Sequence, residues 1–178
     1  MGRKLVLHPD SHAGDVTAVS AAAARVDPDR LELRYSVVGA IANLIIPPIT
    51  SLRRIDNLWR TTCFEAFIAP SSAGPYYEIN LSPSTEWAAY RFSGYREGMS
   101  VASEIEAPAF EIDAAVSRFD LTATFDFSRF SILKPGGDWR VGLSAIIEDR
   151  GGRKSWWALA HGPSDPDFHR FDCFVYEL

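Results

Sequence analysis

Residues 59–96 read WRTTCFEAFIAPSSAGPYYEINLSPSTEWAAYRFSGYR, and this stretch decides the fold because it holds three successive strand-like runs. Side chains of a β-strand point alternately to opposite faces of the sheet. The run 62–68 therefore has an apolar face that is formed by Thr62, Phe64, Ala66 and Ile68. Its opposite face carries Glu65 between Cys63 and Phe67, so the two faces differ in chemistry.

The run 76–82 shows the same division into an apolar and a polar face. The apolar face is formed by Tyr77, Ile79 and Leu81, and the polar face by Tyr76, Glu78, Asn80 and Ser82. The connection 69–75 is rich in Pro, Ser and Gly, which favours an antiparallel hairpin between the two runs. We therefore expect a sheet with one apolar face toward the core and one polar face available to a ligand.

A register that keeps both apolar faces together pairs odd with even positions. We expect these opposite pairs: Phe67 with Tyr76, Glu65 with Glu78, and Cys63 with Asn80. Directly opposed like charges destabilise a sheet by roughly 0.2–1 kcal/mol. An arginine (Arg60, Arg91 or Arg96), a bound cation, a raised carboxyl pKa or ligand hydroxyls would compensate. Alternatively, both glutamates point into water.

Composition limits the classes of function. The 178 residues, 47% of them apolar, are enough for one core, so we expect a single domain over residues 1–178. A net charge of −5 with scattered basic residues argues against a nucleic-acid partner. The start of the chain has too short an apolar run for a signal peptide, and no stretch is long enough to cross a membrane. We therefore expect a cytoplasmic protein without a membrane partner.

Strand-like runs separated by turn residues recur along the chain. Besides the block above, we predict strands at Lys4–Leu7, Val16–Val26, Leu31–Val38, Phe119–Phe127, Trp139–Ile147, Ser155–Ala160 and Phe171–Leu178. The segment 148–152, which ends in Gly-Gly, is predicted to connect a hairpin. Short strands at this spacing predict an all-β fold, an immunoglobulin-like or jelly-roll β-sandwich of two antiparallel sheets. Cys63 and Cys173 are expected to be buried free thiols.

Three segments carry a resemblance to a known family. They are DNLWRTTCFE (56–65), YYEINLSPSTEWAAYRF (76–92) and WWALAHGPSDPDFH (156–169). With nearly the whole chain covered, the sequence resembles a bacterial DOMON-like family related to carbohydrate-binding module family 9. The resemblance implies a β-sandwich that binds sugar or haem, usually without catalysis.

Sugar sites combine aromatic faces with carboxylates or amides that bond to hydroxyls. The candidate ligand-binding residues are Trp59, Glu65, Glu78, Asn80, Trp87 and Arg96. For Trp59 a purely structural role at the sandwich edge is an equal alternative, and for Trp87 a structural role between the sheets is the favoured interpretation. Trp156 and Trp157 are neighbours in one strand, so one ring is expected in the core and the other toward the surface or the site.

Metal and haem binding are the weaker interpretations. The candidate metal ligands His161, Asp165, Asp167 and His169 match no established spacing, and a loop in which aspartates cap backbone donors is the stronger interpretation. Haem would need an axial ligand, for which His161, His169 and Met99 are available. No cofactor is predicted.

We therefore expect a non-catalytic module that binds a small molecule, a carbohydrate or glycoconjugate fragment, on a sheet face. A haem-binding redox module is one alternative, and a protein-interaction domain with an exposed aromatic sheet face is another. The paired glutamates would also suit glycoside hydrolysis, which needs two carboxyl groups. We favour binding because the resemblance is to binding modules.

Overall fold

The computed structural model describes residues 2–27, 29–71, 74–134 and 136–178. Within them the chain forms two antiparallel sheets that pack face to face, which confirms the predicted all-β sandwich. The strands are β1 (Arg3–Lys4), β2 (Val6–Leu7), β3 (Val16–Asp27), β4 (Arg30–Gly39), β5 (Cys63–Pro70), β6 (Tyr76–Leu81), β7 (Trp87–Phe92), β8 (Ser100–Val101), β9 (Ala109–Ala115), β10 (Arg118–Asp126), β11 (Trp139–Glu148), β12 (Lys154–Ala158) and β13 (Tyr176–Glu177).

The two sheets use different parts of the chain. Sheet A has the strand order β1-β3-β4-β10-β9. Sheet B has the order β2-β12-β11-β5-β6-β7-β8, and β13 pairs with β11. The hairpins predicted between β5 and β6 and between β11 and β12 are both present. Sheet B thus contains all three runs of the 59–96 stretch side by side.

The alanine-rich segment at the start of the chain is a strand, as predicted. In β3, Val19, Ala21 and Ala23 are buried on one face, while their neighbours are partly exposed. The small side chains let β3 lie flat against the core while it pairs with β4 along most of its length. This pairing makes β3 and β4 the longest strands of sheet A.

Two predicted strands differ from the structure. The segment Lys4–Leu7 divides into β1 in sheet A and β2 in sheet B, with the fully buried Leu5 at the crossing point between them. The segment Phe171–Leu178 begins as a 3-10 helix, Phe171–Cys173, and only Tyr176–Glu177 is strand. Phe174 lies against β11 at Gly142, where an added Cβ would come within 2.7 Å of its ring. Packing of this ring on the outer face of sheet B replaces strand pairing.

Apolar side chains form two clusters, one on each face of sheet B. The larger cluster fills the space between the sheets and includes Phe64, Ile79 and Tyr77. The smaller cluster lies on the outer face and includes Phe67 and Phe174. Cys63 and Cys173 are both buried free thiols, as predicted. None of the helices in the described residues is long and apolar enough to cross a membrane.

Candidate functional site

The outer face of sheet B places the two glutamates next to each other, although in a different register from the predicted one. Glu65 lies opposite Asn80, and Phe67 lies opposite Glu78, so the glutamates are diagonal neighbours. The predicted direct opposition of Glu65 and Glu78 is wrong by two residues. A shift of two residues keeps every side chain on its face, so alternation alone cannot distinguish the two registers.

Both carboxyl groups are buried, so the alternative in which they point into water is wrong. Glu65 is 3% exposed and Glu78 is 7% exposed. Burial raises the pKa of Glu65 well above its usual value, and the charge of Glu78 raises it further. Burial also raises the pKa of Glu78. A hydrogen bond from Asn80 lowers this pKa, but the effect of burial is larger. Both carboxyl groups therefore titrate above the ordinary glutamate value, and the pKa of Glu65 is raised more strongly than that of Glu78.

A cavity of about 830 Å³ opens on the outer face of sheet B, and both glutamates line it. This volume is within the roughly 300–1,000 Å³ typical of small-molecule sites. The two predicted side chains Trp59 and Arg96 line the same cavity. The structure thus brings together four of the six predicted ligand-binding residues.

Trp59 reaches the cavity from a short 3-10 helix, Leu58–Arg60, that packs on β5 and β6. Leu58 is buried and fixes this helix to the outer cluster, whereas the Trp59 side chain is 45% exposed. Asn57 precedes the helix in the left-handed conformation, with a φ of 64°. The exposed indole is therefore available as a stacking surface at the edge of the cavity.

Trp87 lies elsewhere, in the core between the sheets. It is 4% exposed, and its ring contacts Phe125 edge to face with 6.3 Å between ring centroids. The Arg54 guanidinium lies 4.2 Å from the centroid of the Trp87 ring on another side. Trp87 therefore has the structural role that the sequence interpretation favoured for it, and the aromatic residues of β7 that line the cavity are Tyr90 and Phe92.

Asn80 is behind the cavity wall and positions Glu78. Its side chain is 1% exposed, and its Nδ2 donates a hydrogen bond of 2.7 Å to Glu78 Oε1. Its Oδ1 lies 3.9 Å from the Cys63 thiol. Asn80 is therefore a positioning residue, whereas the sequence interpretation made it a direct ligand contact.

Arg96 is fixed at the cavity by its backbone and by an ion pair. Its φ of 55° lies in the left-handed region, and its backbone N–H donates to the Tyr76 hydroxyl at 3.2 Å. Its Nε and Nη2 donate to Asp167 Oδ1 at 3.2 and 2.7 Å. The guanidinium charge is thus paired with Asp167, while its field still lowers the pKa of both glutamates.

His169 connects Tyr76 to Glu78. Its Nδ1 lies 2.7 Å from the Tyr76 hydroxyl, and its Nε2 lies 3.6 Å from Glu78 Oε2. Burial, and then the charge of Arg96, lower the pKa of His169 to about 4, so the ring is neutral near pH 7. The imidazole therefore bridges the Tyr76 hydroxyl and the Glu78 carboxyl group, with one ring nitrogen toward each.

The four candidate metal ligands do not come together as a centre. His161 Nε2 lies 2.8 Å from the Val6 carbonyl oxygen, and Asp165 is exposed. Asp167 is occupied by Arg96 and also accepts the backbone N–H of His169 at 3.1 Å, which is the predicted capping role. Among the described residues, no group of three or more His, Cys, Asp or Glu side chains has an arrangement suited to a metal ion.

The candidate haem ligands fit an axial role poorly. His169 and Met99 line the cavity, but both ring nitrogens of His169 already face protein oxygens. His161 contacts the Val6 carbonyl through Nε2. Met99 is 60% exposed at the cavity rim. An axial ligand needs a free nitrogen or sulfur directed at the iron, so haem binding remains supported by the sequence resemblance alone.

Several aromatic residues of the cavity were not predicted individually. Trp157 is buried in the core while Trp156 lines the cavity, which confirms the expected division of that pair. Phe168 also lines the cavity, from the loop that follows β12. The two consecutive tryptophans were the sequence signal that could have identified Trp156 as a cavity residue. No sequence pattern marked Tyr90 or Phe168, because both depend on contacts between distant segments.

The comparisons with known proteins concern the fold. No protein-family model and no curated protein sequence matches the chain. The fold is similar to that of a candidate carbohydrate-binding protein from Bacteroides uniformis, with a TM-score of 0.70 and 14% identity over 97% of this chain and 83% of the other. It is also similar to a carbohydrate-binding module of family 9 from Caldicellulosiruptor kristjanssonii in complex with cellotriose, with a TM-score of 0.53 and 10% identity over 93% and 75%.

Proposed function

We propose that this chain is a non-catalytic binding module whose ligand is a carbohydrate or a fragment of a glycoconjugate. One observation carries the proposal: two buried carboxyl groups, Glu65 and Glu78, open on a cavity of about 830 Å³ beside the exposed Trp59. Carboxyl groups that are shielded from water but open to a cavity gain most from hydroxyl donors on a ligand.

The cavity offers the two kinds of contact that a pyranose ring uses. Sugar hydroxyls would donate to Glu78, whose orientation is fixed by the 2.7 Å hydrogen bond from Asn80, and to Glu65. The C–H face of the ring would pack on the indole of Trp59 or Trp156. The Arg96 guanidinium would donate to a ring or hydroxyl oxygen at the edge of the cavity.

The fold supports the same ligand class. The similar structures include a family 9 module whose ligand is cellotriose. The sequence resemblance to the DOMON-like family points in the same direction. The similar structures and the sequence resemblance concern other proteins, so the cavity of this chain carries the proposal.

Binding is tested by titrating a panel of mono- and oligosaccharides into the protein and measuring heat. We expect at least one sugar to bind, and Glu78→Ala to weaken its binding at least about tenfold through the loss of charge-assisted hydrogen bonds. Glu111→Ala is the matched control because Glu111 is an exposed carboxylate of sheet A. Unchanged binding in Glu78→Ala would contradict the proposed site.

Two further readouts separate the alternatives. Hydrolysis of aryl glycosides by the wild type, absent in Glu65→Gln and Glu78→Gln, would show that the carboxyl pair is catalytic. Recovery of a protein partner that Trp59→Ala no longer retains, without any sugar binding, would indicate an interaction domain. We expect neither result.

A further inference from the structure

The cavity has an excess of acidic groups over basic ones. Asp56, Glu65 and Glu78 line it, and among the described residues the one lysine or arginine that does so is Arg96. The Arg96 guanidinium is already paired with Asp167 through two hydrogen bonds. A ligand entering the cavity therefore meets unbalanced carboxyl groups.

Glu65 has an acceptor oxygen that the protein leaves unused. Ser144 Oγ donates to Oε2 over 3.4 Å, which is a long contact, and Oε1 has no hydrogen bond within the described residues. The Glu65 side chain is only 3% exposed, and it lines the cavity. A buried carboxyl group with a single weak donor is unfavourable. Further donors would come from a ligand.

The remaining cavity wall is largely aromatic. Trp59, Tyr90, Trp156 and Phe168 line it together with the acidic groups. The faces of aromatic rings carry partial negative charge and attract cations within about 6 Å. His169 adds no opposing charge, because its ring is neutral near pH 7. Aromatic walls around carboxyl groups are the combination that sites for organic cations use.

We infer that the cavity selects ligands that carry a protonated amine, and that among sugars it prefers an amino sugar to the neutral parent sugar. The ammonium group would donate to Glu65 Oε1 and to Glu78 while its carbon atoms contact the aromatic wall. The sugar part of this inference rests on the proposed function. The amine part rests on the charge and the wall of the cavity.

Calorimetric titration with two matched sets of probes near neutral pH tests both parts. The sugar set is glucosamine, glucose and N-acetylglucosamine, and the sugar-free set is cyclohexylamine and cyclohexanol. We expect glucosamine to bind roughly tenfold more tightly than either neutral sugar, and cyclohexylamine to exceed cyclohexanol by a similar factor. Glu65→Gln and Glu78→Gln should each reduce the preference for the amine, whereas the equally charge-changing Glu111→Gln should leave it intact.

The outcomes separate the two proposals. Equal affinity for glucosamine and glucose would overturn the amine inference and leave sugar binding standing. Binding of cyclohexylamine without binding of any sugar would overturn the proposed function and support the amine inference. If no probe of either set binds, the amine inference is wrong, and the proposed function is wrong as well if the wider panel of oligosaccharides also fails to bind. Should a Gln variant fail to fold, the wild-type preference for glucosamine over both glucose and N-acetylglucosamine decides the question, since both neutral sugars lack the cationic ammonium group.

Discussion

Sheets A and B are built from similar alternating strands, yet their outer faces differ. In β10 of sheet A, the buried Leu121 and Ala123 alternate with the half-exposed Thr122 and Thr124. In β6 of sheet B, all six residues are buried. Sheet A thus leaves its polar face in water. In sheet B, loops and aromatic side chains cover the polar face and enclose a cavity on it. Burying carboxyl groups without full hydrogen bonding is unfavourable. Because a bound ligand would supply the missing hydrogen bonds, the covered face of sheet B is the candidate ligand-binding face.

The largest effect that tests this comparison is expected in the core between the sheets. We predict that Trp87→Ala lowers the free energy of unfolding by roughly 3–5 kcal/mol, because it removes a large buried ring that contacts Phe125 and Arg54. Trp87→Phe should be much milder, since the indole N–H has no hydrogen-bond partner among the described residues. Urea unfolding measures both variants. A small effect of Trp87→Ala on the free energy of unfolding would contradict the placement of Trp87 in the core.

A pH effect is expected from the covered carboxyl pair. The pKa of Glu65 is raised in the folded protein, so the folded state binds its proton more tightly than the unfolded state. Stability from this group is complete below the unfolded pKa and is lost as pH rises toward the folded pKa, by up to about 1.4 kcal/mol per pH unit. We predict that Glu65→Gln becomes more stable relative to wild type as pH rises above 4.5.

Urea unfolding of both proteins at several pH values between 4.5 and 8 checks this prediction. Taking the difference between variant and wild type cancels the contributions of carboxylates whose pKa is lowered, such as Asp167 and Glu104. A difference that does not change with pH would mean that folding does not raise the pKa of Glu65.

A smaller effect is expected from the exposed tryptophan of the cavity. We predict that Trp59→Ala weakens binding of the best sugar of the panel by roughly tenfold, corresponding to about 1.4 kcal/mol, through loss of a stacking surface. Its stability should stay within about 1 kcal/mol of wild type, because the side chain is 45% exposed. Calorimetry measures the affinity for the sugar, and urea unfolding measures the stability. A loss of stability comparable to that of Trp87→Ala would contradict this division of roles.

The smallest effect is expected on the solvated face of sheet A. We predict that Thr124→Ala changes the free energy of unfolding by less than about 0.5 kcal/mol and leaves sugar binding unchanged. Thr124 is half-exposed in β10, on the side away from sheet B. Weaker sugar binding in this variant, measured by calorimetry, would show that sheet A takes part in the site.

Alternation in the sequence predicted which residues share a face, but not which pairs are opposite. The apolar and polar sets of β5 and β6 are as expected, whereas the register differs by two residues. Every second residue returns to the same face, so only the geometry of the connection fixes the register. In β7, both faces carry aromatic and small side chains, and the sequence WAAYRF therefore does not show that Trp87 faces inward while Tyr90 and Phe92 face outward.

The cover of the outer face could not be predicted because it comes from distant segments. His169 contacts Phe67 and Phe92, with 4.9 and 5.0 Å between ring centroids. Arg96 contacts Asp167, more than 70 positions further along the chain. Such contacts follow from the packing of loops on the finished sheet. The sequence contained the residue types of the site, and the fold determined that Asn80 supports Glu78 while Trp59 lines the cavity.

The most direct test of the account is a pH titration of the side-chain carboxyl carbons of Glu65 and Glu78 by NMR, without and with saturating sugar. We predict that both groups titrate above the ordinary glutamate value of 4.5 and that their resonances move when the sugar is added. The resonance of the exposed Glu111 should not move when the sugar is added. If neither Glu65 nor Glu78 titrates above 4.5 and neither resonance responds to the sugar, the buried ligand-facing pair does not exist.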